Sequence, residues 1–275
     1  MTVIIKYPVQ TPKRNEVFFE KKNKELTNLD WAKWAGWFDT DGCFKHHYNT
    51  SKKNKKTGEP APARWESVAS MRLKDRQPVE LFSKIFEGSM LYIEQKTTTP
   101  EPYKYEYTSK MYVCELGADK GRWFTKNIYP YLINEKKKDF AVRLLGYKPE
   151  SKDFTNWTRG EITNYLATVM EGDGSVRCIA SKTTKHLATR IKSSDVQYLS
   201  DVSFLLEKKL AVISTLREHS TYMTKEGIKT KYELFIYCSQ KNPGNLDLFQ
   251  SLIKDNVMTL DRKKNPIKEF VDYAA

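Results

Sequence analysis

The sequence has 275 residues, of which 39% are hydrophobic and 13% aromatic, so it can bury one large core or two small ones and is not disordered overall. It carries 47 Lys and Arg against 34 Asp and Glu, a formal net charge of +13. This excess favours a nucleic-acid partner over a merely soluble basic protein, and no apolar run approaches the ~20 residues of a membrane-spanning helix. The cysteines are far apart, which argues against a zinc knuckle or a dense disulfide framework: Cys43, Cys114, Cys178 and Cys238.

Residues 1–26 are polar and are predicted to be an extension of the folded part. Their apolar start is too short for the hydrophobic region of a signal peptide. We therefore expect an intracellular protein. The compartment stays open, because a phage, bacterial, archaeal or organellar origin fits equally well.

The first predicted helix begins at Thr27, three residues before Asp30 at the spacing of a capping box. Apolar residues then recur at helical spacing, and the helix is predicted to end at Asp41-Gly42. The elements that follow are a strand over 43–49, a basic loop over 51–63, a strand over 64–72, a helix over 75–86, strands around 90–96 and 110–116, and helices before and after 131–140.

A second series of the same kind begins at Thr158, which forms a fuller capping box with Glu161 and opens a helix ending at Asp173-Gly174. It continues with strands over 175–181 and 187–193, a helix over 195–209, strands over 211–218 and 231–239, and helices flanking 257–270. Both series have the order αββαββα, and the joint between them falls in 146–157, where Gly, Pro and charge replace the apolar pattern. The prediction is an α+β protein with an extension, 1–26, and two pseudo-symmetric halves, 27–150 and 151–275.

Each motif helix is predicted to end in two acidic residues, Asp39 and Asp41 in the first copy and Glu171 and Asp173 in the second. A carboxylate at a helix C-terminus lies at the negative end of the helix dipole, which is unfavourable for an anion. A divalent cation is a natural partner for such acids. A single Asp-Gly would be read as a common turn, but two copies at the ends of similar helices favour an active site.

Small residues stand four positions apart in both motif helices: Gly36 and Thr40 in the first, Thr168 and Gly172 in the second. Such a seam lets two helix backbones approach closely. If the helices pack along it, Asp41 and Asp173 converge on shared or neighbouring metal ions. Two metals ~4 Å apart can clamp the attacking and leaving oxygens of a phosphodiester displacement.

The segments 34–42, WAGWFDTDG, and 166–174, LATVMEGDG, resemble the nine-letter motif of the LAGLIDADG homing endonuclease family in its single-chain form with two motif copies. The first has Trp in place of both leucines, and the second has Thr at the third letter and Glu at the sixth. The shared order of elements extends the resemblance to nearly the whole chain except the extension. It implies that the eighth letters, Asp41 and Asp173, are catalytic and bind metal, with Gly42 and Gly174 assigned to the same metal sites. The sixth letters are interpreted as supporting residues.

The resemblance also implies a function. The expected protein is a monomeric, intron-encoded, site-specific double-strand DNA endonuclease with a long asymmetric target. Two pseudo-symmetric halves would pack through their motif helices, and their curved antiparallel sheets would form a DNA-binding saddle. Two or three divalent ions, normally Mg²⁺, would lie near the paired aspartates, and each active site would cut one strand to leave short 3′ overhangs. Mn²⁺ should substitute, and Ca²⁺ should bind without cleavage.

Members of the family place a basic residue near the start of the late helix of each half, where it organises the nucleophilic water or stabilises developing charge. The duplicated pattern here assigns this role to Lys137 and Lys263, with Lys136 and Arg262 as rivals one position away. A polar residue, often Gln, ends the family's second strand, and this sequence departs from that pattern. Lys74 and Ser193 are the water-positioning groups assigned in its place: these two complete the predicted site.

The predicted strands alternate aromatic, basic and hydroxyl residues, as expected of a surface that reads bases. The DNA-binding residues assigned on them are Lys45, His47, Arg72, Arg177, Arg190 and Lys192. His46 and His47 are not a metal pair, because adjacent side chains of a strand point to opposite faces.

Two alternatives stay open. An RNA-binding intron maturase of the same fold would keep the helices and could dispense with one or both acids. A non-catalytic DNA-binding regulator would have no reason to hold paired acids at the negative ends of helices. The patterns of serine hydrolases and nucleotide-binding proteins are absent from the sequence.

Overall fold

The computed structural model describes residues 13–49, 64–98, 106–180, 184–224, 227–239, 243–255 and 257–274. The predicted basic loop over 51–63 lies outside the described residues. In chain order the elements are α1 Lys13–Glu25, α2 Asn28–Thr40, β1 Gly42–Asn49, β2 Arg64–Leu73, α3 Arg76–Phe86, β3 Ser89–Thr98, β4 Glu106–Gly117, α4 Ala118–Ile128, α5 Glu135–Leu145, α6 Arg159–Gly172, β5 Gly174–Ala180, β6 Lys185–Ser193, α7 Val196–Leu210, β7 Ser214–Thr224, β8 Gly227–Ser239, α8 Leu246–Lys254 and α9 Asp261–Ala274.

The element order repeats, and the predicted α+β fold is confirmed. The series from α2 to α5 and the series from α6 to α9 contain the same sequence of helices and strands. Each series builds one four-stranded antiparallel sheet, in the order β1-β2-β4-β3 and β5-β6-β8-β7. Among the described helices, none is both long and apolar enough to cross a membrane.

The contacts divide the chain into two compact units. The first unit holds α1, β1 to β4, α3, α4 and nearly all of α5, and the second holds α2, α6 to α9 and β5 to β8. In the second unit α2 packs on α6. The compact units therefore differ from the predicted sequence halves, because α2 precedes β1 in the chain but belongs to the second unit.

The N-terminal extension contains a helix that the sequence analysis did not predict. α1 packs in the first unit through Phe18 and Phe19, whose ring centroids lie 5.7 and 5.2 Å from that of Trp123 in α4. The mean hydropathy of α1 is low, so its amphipathic signal is weak. Its position depends on an aromatic partner about a hundred residues away in the chain, which local periodicity cannot reveal.

The core of the first unit lies between its sheet and two helices. Phe82 and Phe86 of α3 and Phe124 of α4 are fully buried, and their ring centroids are 4.8 to 5.2 Å apart. Edge-to-face and tilted contacts of this kind add to the free energy gained by burying the rings. These rings hold α3 and α4 against the sheet.

In the second unit, strand β6 shows how the alternation of side chains separates core from surface. Leu187, Thr189 and Ile191 are buried, whereas Arg190 and Lys192 lie on the opposite face with side chains 45% and 40% exposed. A strand with this pattern fixes its register, since a slip by one residue would bury both cations.

Candidate active site

Both motif helices begin at the predicted capping boxes. At the start of α6, Thr158 Oγ1 accepts a hydrogen bond from Glu161 N at 3.2 Å, and Glu161 Oε2 accepts one from Thr158 N at 2.7 Å. Before α2, Asp30 Oδ2 accepts from Thr27 N at 2.9 Å, and Thr27 Oγ1 accepts from Asp30 N at 3.4 Å. These bonds satisfy backbone N–H groups that a helix start otherwise leaves without partners.

The two motif helices approach closely at the predicted small-residue seam. A Cβ atom built on Gly36 would lie 2.3 Å from Thr168 Oγ1 and 2.4 Å from the carbonyl oxygen of Tyr165. The Thr168 hydroxyl lies 2.8 Å from the carbonyl oxygen of Lys33, to which it donates across the interface. The seam is therefore confirmed at Gly36 and Thr168.

The sixth-letter acid of the first motif, Asp39, is buried and engaged with backbone. Its Oδ2 accepts hydrogen bonds from Ile133 N at 2.7 Å and Asn134 N at 3.3 Å, just before α5 begins, and from the Tyr165 hydroxyl at 2.6 Å. Burial raises the pKa of Tyr165 well above its usual range, and the neighbouring Asp39 carboxylate raises it further. The tyrosine therefore stays a hydrogen-bond donor to Asp39.

The sixth-letter acid of the second motif, Glu171, occupies the corresponding position. Its Oε1 accepts short hydrogen bonds from Thr259 N and Leu260 N, just before α9 begins. Burial raises the pKa of Glu171 to about 6, although the two backbone hydrogen bonds and the charges of Lys33 and Lys263 lower it. In both motifs the sixth letter thus joins the end of the motif helix to the start of the late helix, which agrees with its interpretation as a supporting residue.

The eighth-letter acids are accessible to solvent. Asp173 caps the C-terminus of α6 with φ −85° and ψ −5°, its N–H donates to Val169 O at 3.2 Å, and the residue is exposed. Asp41 follows α2 directly and is half-buried at the entry to β1, in the first unit. Their convergence on shared metal ions stays a prediction.

Lys263 lies at the C-terminal end of the second motif helix. It is 4% exposed, and its Nζ donates to the carbonyl oxygens of Met170 and Gly172 at 3.1 Å each and, more closely, to that of Glu171. A cation at this place offsets the negative end of the helix dipole. Lys263 therefore stabilises the end of α6 on which Asp173 stands.

In the first unit, the ammonium group of Lys137 donates to the carbonyl oxygen of Gly42 at 2.5 Å. The rivals one position earlier, Lys136 and Arg262, are exposed residues. Of Lys136 and Lys137, it is Lys137 that contacts the backbone at the end of its motif. Of Arg262 and Lys263, it is Lys263. Their role in the reaction stays a prediction.

A sequence profile described as a LAGLIDADG-like domain matches residues 160–242, which include α6, β5 to β8 and α7. The resemblance read from the motifs is confirmed by this match and by the fold.

Solved structures of LAGLIDADG proteins are similar to the chain as a whole. The LAGLIDADG homing endonuclease I-GzeII, in complex with its DNA target, superposes with a TM-score of 0.53 at 14% identity over 90% of each chain. The meganuclease I-SmaMI, bound to uncleavable DNA, has a TM-score of 0.49 at 14% identity over 90% of this chain and 91% of its own. At such low identity the similarity establishes the fold alone. No curated protein matches the sequence significantly.

The glycines at the ninth letter of each motif do not have the left-handed backbone conformation that is common after a helix. Neither Gly42 nor Gly174 is among the described residues with positive φ. Gly174 is required for space, because a Cβ would lie 2.3 Å from the carbonyl oxygen of Met170. The Gly42 carbonyl oxygen accepts a hydrogen bond from the Lys137 ammonium group, and the assignment of both glycines to the metal sites stays a prediction.

The two residues assigned to water positioning do not occupy matching places in the two series of elements. Gly42 pairs with Met71 in the first sheet and Gly174 with Ile191 in the second, so Ser193 matches Leu73 rather than Lys74. Ser193 Oγ accepts from Asp195 N at 3.1 Å in the turn that leads into α7. Lys74 is an exposed residue in the bend after β2.

On the exposed face of the first sheet, two basic side chains lie close to acids. His47 Nε2 lies 3.9 Å from Glu66 Oε2, and Arg72 Nη2 lies 3.7 Å from Glu115 Oε1. Lys45 is half-buried on the same face. His46 points the other way, with its Nδ1 2.9 Å from Ser67 Oγ, in agreement with the prediction that the two histidines are not a metal pair.

On the second sheet, the predicted cations have a partner that the sequence analysis missed. Arg177 is exposed on β5, and Arg190 and Lys192 lie on β6 within 4.0 Å of one buried acid, Glu233 of β8. Arg217 of β7, also missed, binds the same carboxylate. The signal was an acid within the otherwise aromatic and apolar stretch 232–238, but the neighbours of this acid depend on two strand registers.

Proposed function

We propose that this protein is a site-specific double-strand DNA endonuclease that hydrolyses phosphodiester bonds with divalent metal ions. The observation that carries the proposal is that the two acids of each motif have different surroundings. The sixth-letter acids are buried and engaged with backbone N–H groups, whereas the eighth-letter acids are accessible at the ends of the motifs. An accessible acid beside a helix C-terminus suits a metal ligand rather than a structural anchor.

The residues present fit a hard divalent cation. Among the described residues there is no group of three or more His, Cys, Asp and Glu side chains that could hold a metal. Mg²⁺ commonly keeps several waters and takes one or two carboxylates together with phosphate oxygens of its substrate. Asp41 and Asp173 would supply these carboxylates, one for each strand of the DNA. When bound, the cation would polarise the phosphate and lower the pKa of a bound water.

The lysines at the ends of the motifs act on the backbone that carries these acids. Lys263 offsets the negative end of the helix that presents Asp173, and Lys137 contacts the residue after Asp41. In both copies the ammonium group thus contacts the backbone of a residue adjacent in the chain to the eighth-letter acid. We assign to both lysines the positioning of the metal-binding carboxylates.

Double-stranded DNA is the proposed substrate. The net charge of +13 suits a polyanion, and the exposed sheet faces carry basic side chains at alternate positions. I-GzeII is in complex with its DNA target in its solved structure. A monomer acting on a long asymmetric site and leaving short 3′ overhangs completes the proposal.

The test is a cleavage-site selection with the purified protein on a randomised DNA library, in Mg²⁺, in Ca²⁺ and in EDTA. We expect double-strand cuts at one long site in Mg²⁺, binding without cutting in Ca²⁺, and no cutting in EDTA. Sequence-selective DNA binding without cutting in Mg²⁺ would favour the regulator. Tight RNA binding without any DNA cutting at low salt would favour the maturase.

A further inference from the structure

Glu233 is an acid buried beneath a group of basic side chains on the exposed face of the second sheet. Glu233 lies on β8, where its register partners are Lys192 on β6 and Arg217 on β7. Its side chain is fully buried, whereas those of Arg217, Arg190 and Lys192 are 54%, 45% and 40% exposed. The cations therefore cover the acid and present their outer sides to solvent.

The two oxygens of the Glu233 carboxylate have different partners. Oε1 accepts from Arg217 through Nη2 at 2.8 Å and Nε at 3.3 Å. Oε2 lies 4.0 Å from Arg190, 3.8 Å from Lys192 and 3.7 Å from His219 Nδ1, and it accepts no hydrogen bond from any described residue. Four side chains from the two neighbouring strands, β6 and β7, therefore surround the Glu233 carboxylate.

The charge of Glu233 is maintained by this surrounding. Burial alone raises the pKa of Glu233, but the Arg217 hydrogen bond and the charges of Arg190, Arg217 and His219 outweigh burial and lower it. A buried carboxylate is costly unless it is paired and hydrogen-bonded. If the cations moved away, the carboxylate would lose the ionic partners that lower its pKa.

A second set of contacts holds the same cations from the side. The guanidinium groups of Arg190 and Arg217 lie 5.6 and 5.5 Å from the ring centroid of Phe235, close enough for cation–π attraction. Lys192 Nζ lies 2.8 Å from His219 Nε2. Each cation thus has two fixed contacts, which restricts the rotamers of side chains that are otherwise among the most flexible.

The first sheet has no such cluster at the matching positions. The paired registers match Glu233 with Val113, Arg217 with Leu91 and Phe235 with Glu115. Arg190 matches Ser70, and only Lys192 has a basic counterpart: Arg72. At these positions the first sheet therefore has one cation, Arg72, where the second sheet has three around a buried acid.

We propose that Glu233 is a positioning residue that preorganises Arg190, Lys192 and Arg217, so that the second sheet reads DNA sequence more stringently than the first. A fixed guanidinium can make a bidentate contact with the edge of a guanine, whereas a mobile one contributes mainly charge. The inference rests on the proposed binding of DNA, but not on cleavage.

The test compares the full-length protein with Glu233→Gln, in Ca²⁺, by two measurements. The first is selection of bound sequences from duplexes with a randomised central segment. The second is the affinity for the unselected duplex pool as a function of salt. We expect discrimination to fall roughly tenfold or more at base pairs on one side of the site, the range of one lost bidentate contact. Affinity for the unselected pool should be unchanged or higher, because a negative charge has been removed.

Two variants complete the design. Glu233→Val places the residue of the matching position of the first sheet, and it should lose discrimination in the same way even if the buried Gln amide of the first variant impairs folding. Glu115→Gln removes a half-exposed acid beside Arg72 and should leave the selected sequences unchanged. A selection profile that is unchanged in both Glu233 variants overturns the inference. Parallel losses of stability, discrimination and non-specific affinity would overturn it too, since they indicate a purely structural role.

The outcome is separable from that of the proposed function. Wild-type protein that enriches a sequence in Ca²⁺ but does not cut it in Mg²⁺ contradicts the endonuclease, while the comparison with Glu233→Gln still decides the inference. Wild-type protein that binds the pool without enriching any sequence contradicts the inference directly. If Glu233→Gln lost discrimination equally at base pairs on both sides of the selected site, the claim that the second sheet is the more stringent would be contradicted.

Discussion

The two motif helices follow one nine-letter pattern, yet their surroundings differ. Asp39 and Glu171, at the sixth letter, both accept hydrogen bonds from two successive N–H groups before a late helix. Asp39 has in addition the hydroxyl of Tyr165. The glutamate reaches its partners with one more methylene group. The comparison teaches that the motif fixes where the acid acts, while side chains from elsewhere decide how it is stabilised.

The difference is larger at the starts of the helices. The Thr27–Asp30 box of α2 is exposed, whereas Glu161 of the second box is 1% exposed. Glu161 Oε1 also accepts from Lys152 at 2.5 Å and from the Tyr131 hydroxyl at 3.1 Å. α6 is therefore stabilised by buried contacts at its start and by Lys263 at its end.

The largest expected effect concerns the eighth-letter acids, where we expect the two copies to be equally essential. Asp41→Asn and Asp173→Asn, made singly, should each reduce double-strand cleavage roughly a hundredfold or more. Metal-ion stabilisation of the transition state amounts to several kcal/mol, and about 1.4 kcal/mol corresponds to a tenfold change in rate. Binding of the selected duplex in Ca²⁺ should be largely kept.

The matched control for Asp173→Asn is Asp255→Asn. Asp255 is an exposed aspartate that caps α8 with φ −81° and ψ 0°, nearly the backbone conformation of Asp173. The Asp255→Asn variant should cleave DNA like the wild type. Full cleavage by Asp41→Asn or by Asp173→Asn would show that the wrong carboxylate has been chosen.

A smaller effect, on stability, should follow from closing the seam between the motif helices. Gly36→Ala would place a methyl group 2.3 Å from Thr168 Oγ1 and 2.4 Å from the Tyr165 carbonyl oxygen, so α2 and α6 must separate. We expect a loss of about 3 kcal/mol in the free energy of unfolding, at the upper end for overpacked sites, measured by urea denaturation.

Gly160→Ala is the control for this substitution. Its Cβ would approach only the end of the Leu29 side chain, at 3.0 Å, and that side chain can move. The change should be within about 1 kcal/mol, since Ala also favours the helix. Equal stabilities of the two variants would contradict the close approach of the helices at Gly36.

The smallest expected effect tests the difference between the two capping boxes by pH. Burial raises the pKa of Glu161, but the hydrogen bond from Lys152, those from Thr158 and the charge of Lys152 outweigh it, so the pKa is lowered. A lowered pKa means that the stabilisation is present above the usual value of 4.5 and is lost as the pH falls through the folded-state value. The stability difference between wild type and Glu161→Gln should be about 1 kcal/mol near neutral pH. It should shrink as the pH falls through the folded-state pKa of Glu161.

Asp30→Asn is the matched change in the exposed box and should cost less near neutral pH. Thermal or urea denaturation of both variants at several pH values decides the comparison. A difference between wild type and Glu161→Gln that does not depend on pH would show that the Glu161 charge does not contribute.

Much of the fold was predictable because its signals are local. A capping box joins residues three apart, and apolar residues recur with a period of two residues in strands and 3.6 residues in helices. The starts of α2 and α6 and the order of the strands were predicted in this way. Helix α1 was missed because its apolar partners lie in α4, and Lys74 was paired with Ser193 because the register of each sheet is set by contacts across strands.

By itself the sequence determined the repeat, the two motif helices, the acids at their ends and the basic excess, because each is written in neighbouring residues or in composition. The tertiary structure alone decided what those acids do: Asp39 and Glu171 bind backbone that is about ninety residues away in the chain. It also decided that Glu233 of β8 lies among basic side chains of the two neighbouring strands. Hydrogen bonds and ion pairs depend on distances in space, which the chain sets only when it folds.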